Sequence, residues 1–184
     1  MKTRDSGAGC LKYKYISIIS LQMSSGCLFT NGSHVLAGWQ KGYLSGFGGK
    51  MESGESWIET AWRETLEELF ELAPKPIQTL IPIILERTKY SNIIRQDQYT
   101  AFVYSFKVLE EVLMIIKAHR VVSPLYRRFP TTVSELVFGR KQRPPTRVIR
   151  GAVPEISTLA ILPLLPWISI SGDFMNDLAV VSMT

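Results

Sequence analysis

GFGGKMESGESWIETAWRETLEEL, residues 46–69, sets three carboxylates, Glu64, Glu67 and Glu68, directly behind a glycine-rich turn. From Ser56 to Leu72, the positions Ile58, Ala61, Thr65, Leu69 and Leu72 recur at spacings of three and four, which predicts a helix. On a helix, Glu64 stands one turn before Glu67 and Glu68, so all three carboxylates project from one face. Like charges at that spacing repel unless a cation lies between them. Hard oxygen donors on one face suit Mg²⁺ or Mn²⁺ better than a soft metal. A solvated acidic face with Arg63 pairing locally is the plainer alternative for such a cluster taken alone.

The same residues resemble the Nudix box. Its pattern is Gly, five residues, Glu, seven residues, Arg-Glu, an aliphatic, any residue, Glu-Glu, any residue, Gly, an aliphatic. Gly49, Glu55, Arg63-Glu64 and Glu67-Glu68 meet it with both long gaps intact, a far more specific match than a short glycine motif. The resemblance implies an α/β Nudix fold, a mixed β-sheet sandwiched between helices. The length of 184 residues suits one domain over residues 1–184, with a basic loop or insertion at about 117–152. The resemblance also implies that Glu64, Glu67 and Glu68 ligate catalytic Mg²⁺, with Mn²⁺ as a substitute, and that Gly49 offers its carbonyl to a metal. Glu55 and Arg63 would brace the loop against the helix, with Gly48 and Lys50 in the supported turn. The implied reaction is attack of a metal-bound water on a phosphorus of a nucleoside diphosphate-linked substrate, with Glu67 or Glu68 steering or deprotonating that water.

Two positions depart from the pattern: Phe70 and Glu71 replace the closing Gly and aliphatic. Glycine there supports a left-handed helix end. Without it, the helix is expected to run on toward Leu72 and stop before Pro74. Phe70 is expected to pack under the sheet, and Glu71 to be solvated or to add a weak metal contact. The metal-binding positions survive, so an active hydrolase is expected.

Around this segment the totals are those of one globular domain, with 46% hydrophobic and 20% charged residues. The net charge of +5 is unevenly spread. Lys117 to Arg150 holds nine Lys or Arg and one acid, Glu135, whereas Glu52 to Glu71 holds seven acids and one base, Arg63. An acidic pocket facing a basic segment suits metal plus phosphate better than a uniform nucleic-acid groove. Cys10 and Cys27 lack zinc-site spacing and are too few for a disulfide scaffold, which predicts reduced thiols in a cytoplasmic protein. The apolar run around Ile16 to Leu21 is broken by Ser17 and Ser20 and does not read as a signal peptide. Leu159 to Ile170 contains Pro163 and Pro166 and is too short to span a bilayer, so no membrane partner is expected.

Residues 14–30 read as two strand-like runs split by Ser24-Ser25-Gly26, and SHVLAGWQ as a strand after the Asn31-Gly32 turn. KGYLSGFGGKMESGES reads as glycine-punctuated loop, and Pro74 and Pro76 close the helix behind it. TLIPIILERT and YTAFVYSFKVL read as strands bridged by a polar turn over 91–98, with a short helix at 110–118. Residues 124–154 read as a long loop or small insertion. EISTLAILPLLPWISI reads as a closing strand and turn, followed by a last helix over 173–181.

GFGGK resembles the MutT-like branch of the family, which sanitises oxidised purine nucleotides, although other branches share these glycines. PEISTLAILPLLPWISISGDFMNDL resembles the family's closing segment, which makes Glu155 a candidate acid behind the metal or a general base; an ordinary loop carboxylate is the alternative. Trp167, Phe174 and Asp177 are candidates for base stacking and edge recognition, while Trp167 and Phe174 as core filling is the plainer reading. Trp39 shares that ambiguity, and Trp57 and Trp62 read as packing residues. Arg127 and Arg128, with Arg140-Lys141-Gln142-Arg143, suit a phosphate-rich substrate or a solvated insertion equally. Three functions compete: a Mg²⁺-dependent nucleotide pyrophosphohydrolase, an mRNA-decapping hydrolase holding capped RNA on the basic segment, and a non-catalytic module binding a nucleotide or partner. The third has only Phe70-Glu71 in its favour, because a binding module does not need an acidic trio. The sequence leaves the oligomeric state open.

Overall fold

A computed structural model describes residues 23–40, 42–141 and 156–164, together with residues 174, 175, 177 and 178. Its elements run β1 (Ser24–Thr30), β2 (His34–Gln40), β3 (Tyr43–Ser45), β4 (Phe47–Lys50), α1 (Trp57–Phe70), α2 (Pro74–Arg87), β5 (Asn92–Gln96), β6 (Tyr99–Ser105), α3 (Phe106–Ala118), α4 (Val133–Phe138) and β7 (Thr158–Pro163). The expected α/β architecture is present: a mixed sheet with helices packed on it.

The sheet runs β3-β2-β1-β6-β5, with β4 also pairing β1 and β7 pairing β2. Among the described residues only β1 and β6 pair in parallel, in a register that sets Ser24 beside Tyr99 and Thr30 beside Ser105. Strand parity explains how both faces are covered. Cys27 and Phe29 of β1, Leu36 of β2, and Phe102 and Tyr104 of β6 point to the side packed by α1, α2 and α3. Their neighbours Leu28, Val35, Ala37, Ala101 and Val103 point to the other side, where Phe174 and Leu178 close over them. Successive side chains on a strand alternate faces, so a strand buried on both sides reads as a continuous apolar run. On the helix side, Trp62 is fully buried and its indole N–H donates to the Tyr104 hydroxyl at 3.0 Å. Cys27 is buried there too, and burial pushes its thiol up to about 12 against a hydrogen bond with Thr65.

Several expectations are corrected. Ser24-Ser25-Gly26 does not split two strands; it opens β1, and residues 14–22 lie outside the described set. The stretch taken as glycine loop contains β3 and β4, because Gly48 fits where the β4 backbone lies against Gly26 and leaves no room for a Cβ. TLIPIILERT is the body of α2, not a strand. Ile77, Leu80, Ile81 and Ile84 are its buried positions, at helical spacing, and the in-helix Pro82 sits on the exposed side. Pro74 starts α2 at its first turn, where a missing N–H costs nothing, instead of merely ending α1. β6 stops at Ser105, whose hydroxyl caps α3 by accepting from the Val108 N–H at 3.3 Å. α3 is therefore longer than the predicted 110–118, and the polar turn over 91–98 contains β5. Residues 124–141 are not loop throughout: α4 forms within them, and Leu125, Tyr126, Val133 and Leu136 are buried. β7 and the helical residues within 173–181 are as expected, and the Asn31-Gly32 turn joins β1 to β2. Among the described residues no helix is long and apolar enough to cross a membrane.

Candidate active site

α1 starts on a capping box. The Ser56 hydroxyl accepts from the Glu59 N–H, and the Ser56 N–H donates to the Glu59 carboxylate at 2.8 Å. Those Ser56 bonds hold the Glu59 carboxyl below the usual range. The fixed start sets the rotation of the helix. Ala61, Trp62, Leu66 and Leu69 face the core, while Arg63, Glu64 and Glu67 face the turn that follows β4.

Arg63 joins turn and helix. Its Nε donates to Glu55 Oε1 at 2.6 Å, and one terminal nitrogen donates both to Glu55 Oε2 at 3.1 Å and to the Lys50 carbonyl at 2.8 Å. Its other terminal nitrogen reaches Glu64 at 2.8 Å and Glu67 at 3.1 Å. Glu55 is held further by the Glu52 N–H and the Thr60 hydroxyl. Partial burial would raise the Glu55 carboxyl, but Arg63, Glu52 and Thr60 together bring it below its ordinary value. Burial likewise works against the Arg63 charge, and the Glu55 and Glu64 carboxylates outweigh it. These bonds tie the loop to the helix through Glu55 and Arg63, with Lys50 taking part through its backbone. Thr60 was not foreseen. A hydroxyl one turn before Glu64 on the predicted helix was the available signal.

Glu68 is buried and turned to the glycine strand, where its carboxylate accepts from the Gly48 N–H at 3.0 Å. Glu64 lies so close over Gly49 that a Cβ at that position would overlap its carboxylate. Burial, with the Glu64 and Glu52 charges adding to it, raises the Glu67 carboxyl against the pull of Arg63. Among the described residues no three His, Cys, Asp or Glu side chains gather as a metal cage. The expected trio is therefore divided, with Glu64 and Glu67 meeting at Arg63 and Glu68 at Gly48. This donor set still fits Mg²⁺, which takes one or two carboxylates and fills its shell with water and phosphate oxygens. Burial is the main cause of the rise at Glu67, and the Glu64 and Glu52 charges that add to it are charges a divalent ion would neutralise.

Beside these residues opens a cavity of about 550 Å³, lined in part by Gly48, Gly49, Lys50 and Glu68. Phe174 and Asp177, two of the residues expected to hold a base, line it too, both buried. Gln40, Tyr43, Gln96 and Tyr99 line it as well and were missed. Only the pairing of the strands brings them together, so no local motif marks them. Arg127 and Arg128 are exposed and do not line it. Glu155 and Trp167 lie outside the described residues. Trp57 and Trp62 pack in the core, whereas Trp39 is exposed.

α1 ends differently from expectation. It stops at Phe70, and Glu71 adopts the left-handed conformation (φ 49°, ψ 46°) that the pattern assigns to a glycine-assisted helix end. Phe70 is buried as expected, but its ring partners are Phe129, stacked at 5.1 Å, and Tyr126 at 6.0 Å. Glu71 is half-buried, not solvated. Thr65 also stands where the pattern has an aliphatic; it is buried, and its hydroxyl donates to the Ala61 carbonyl at 2.7 Å.

No family model matches the chain, and no curated protein matches it. Among solved structures it is similar to a NUDIX family hydrolase from Clostridium perfringens, at 14% identity and a TM-score of 0.38, over 88% of this chain and 96% of that one. It is also similar to a MutT mutator protein from Bacillus halodurans, at 22% identity and a TM-score of 0.26, over 46% of this chain and 54% of that one. These values are low, so the chemistry of the site is read from its own residues.

Proposed function

We propose that the chain is a Mg²⁺-dependent Nudix-type pyrophosphohydrolase that cleaves a phosphoanhydride bond of a nucleoside triphosphate, oxidised or not. The observation that supports this most is Arg63, which ties the loop acid Glu55 and the Lys50 carbonyl to Glu64 and Glu67. Glu64 in turn lies against Gly49, which lines, together with Glu68, a cavity large enough for a nucleotide. Mg²⁺ held by Glu64, Glu67, Glu68 and the Gly49 carbonyl would neutralise phosphate charge and acidify a water.

The chain's own residues do the rest. Glu67, half-buried and with a raised carboxyl, accepts the proton of the attacking water. Lys50 meets a phosphate, and Phe174 and Asp177 take the base in the cavity, the ring by stacking and the carboxylate by accepting from an N–H edge. The proposal places the enzyme in the cytoplasm, in keeping with the free thiol of Cys27.

A panel of oxidised and normal nucleoside triphosphates, ADP-ribose, dinucleoside polyphosphates and capped RNA, incubated with Mg²⁺, tests the substrate. Release of pyrophosphate and monophosphate from a triphosphate, abolished by EDTA, is the expected result. Glu67→Gln should lower turnover by about 10²- to 10⁴-fold with an unchanged far-UV circular dichroism spectrum. A Gln variant that turns over normally would overturn the assignment of the base.

A further inference from the structure

We infer that Arg140, reaching from the segment that follows α3, is a positioning residue for the hydrolytic site: it clamps the last turn of α1 and so fixes Glu67 and Glu68 against the glycine strand. The inference rests on the proposed hydrolase only for the task it gives those two carboxylates.

A helix leaves its last four carbonyls without intrahelical donors. In α1 the first of them takes the ordinary i→i−4 bond from the C-cap residue, and the other three are met from far along the chain. The Glu71 N–H donates to the Glu67 carbonyl at 2.8 Å. The Arg140 guanidinium donates to the carbonyls of Glu68 at 3.1 Å and Leu69 at 2.8 Å. The Ser123 hydroxyl donates to the Phe70 carbonyl at 2.6 Å. Arg140 also donates to the Ile156 carbonyl at 2.9 Å, just before β7, so one side chain links the helix end to the edge of the sheet.

Arg140 is 7% exposed, and a buried cation is costly unless it is engaged. Here the negative end of the helix dipole and three carbonyls engage its two terminal nitrogens, while its buried Nε makes no hydrogen bond. The segment is built to present it. Tyr126 and Arg140 form a bridge, the Lys141 N–H donates to the Leu125 carbonyl at 2.8 Å, and the Tyr126 hydroxyl donates to the Leu136 carbonyl at 3.0 Å. Phe70 anchors the segment by stacking on Phe129.

The consequence for the site lies in Glu68, which is held at both ends. Arg140 holds its carbonyl, and the Gly48 N–H holds its carboxylate. Loosening the last turn turns Glu68 away from Gly48 and shifts Glu67, one residue before it. The aromatic residue at the closing-glycine position and the basic segment are thus two halves of one device. A forked guanidinium spans two successive carbonyls, and a lysine ammonium does not.

Arg140→Lys and Arg140→Gln, made in the full chain and checked for folding by circular dichroism, test this. Mn²⁺ affinity is read by calorimetry, and kcat and KM are read on a nucleoside triphosphate. The expected result for Arg140→Lys is about 10-fold weaker Mn²⁺ binding and about 10-fold lower kcat with KM unchanged, and a larger loss for Arg140→Gln. Folded variants that only melt earlier, with wild-type Mn²⁺ affinity and kcat, would overturn the inference. Should neither variant fold, Ser123→Ala removes a smaller piece of the same cap. A partial loss of kcat and Mn²⁺ affinity supports the inference, and no change overturns it. A wild-type chain inactive on every phosphoanhydride ends the proposed reaction but not this inference, because amide hydrogen exchange then reads the clamp. Faster exchange in Arg140→Lys at residues 66–71 and not at 57–60 supports it, and uniform exchange refutes it.

Discussion

Gly49 and Glu64 occupy adjoining space so closely that the identity of one decides the position of the other. A Cβ at residue 49 would overlap the Glu64 carboxylate, which is the far end of a flexible side chain and not backbone. Gly49→Ala should therefore cost little stability, because the carboxylate swings aside. It should cost activity, because the displaced carboxylate leaves Arg63 and the metal position. The expected outcome is a melting temperature within about 2 °C of wild type, with turnover down by about 10- to 100-fold. A variant that is strongly destabilised yet fully active per folded molecule would show that the glycine serves the strand and not the site. Most of this geometry was legible beforehand, since Gly49, Glu55, Arg63, Glu64, Glu67 and Glu68 sit at fixed spacings along one loop and helix. Spacing did not reveal the sharing of Arg63 between Glu55 and two further carboxylates, because that depends on which rotamers the packed helix allows.

α1 shows where local signals failed and why. Its start at Ser56 was readable from the apolar spacing, but its end was not. With Phe70 and Glu71 in place of glycine and an aliphatic, the sequence predicts a helix running toward Leu72. The helix instead ends at Phe70 because residues far along the chain, Ser123 and Arg140, supply the capping donors. α2 failed for a different reason: its Ile- and Leu-rich composition favours a strand, but its apolar residues follow a helical period and one face packs on α1 and α3. Glu71 bears the backbone strain of the helix end, at φ 49°. A left-handed conformation costs a residue with a Cβ about 1–2 kcal/mol relative to glycine. Comparing Glu71→Gly with Glu71→Ala isolates that cost, since both changes remove the same carboxylate. Glu71→Gly should be the more stable of the two by about 1 kcal/mol in chemical denaturation. Equal stabilities would mean that the helix end relaxes out of the left-handed conformation.

At the scale of the molecule, the division between the acidic stretch 52–71 and the basic stretch 117–150 raises the choice between a nucleotide and an RNA substrate. The structure changes the terms of that choice. Arg140, one of the nine bases, is buried under α1 and unavailable to phosphate. Lys141 donates its ammonium to the Pro124 carbonyl at 2.9 Å. Arg127 and Arg128 remain exposed, away from the residues lining the cavity. Part of the basic character of the segment is thus structural, which the sequence could not show because burial of a charge depends on what folds over it. A shallow salt dependence is therefore expected. Each phosphate contact to a single strand contributes a slope of about −0.7 in log affinity against log salt. With Arg127 and Arg128 outside the cavity, a capped RNA of some twenty nucleotides should gain little from its length over a free nucleotide. Its KM and that of a nucleoside triphosphate should rise in parallel as NaCl is increased, and Arg127→Ala with Arg128→Ala should leave both slopes unchanged. A slope for the RNA steeper by about 1.4, lost in that double variant, is the value two phosphate contacts would give. That result would move the substrate from the nucleotide pool to capped RNA while leaving the acidic site and its chemistry as described.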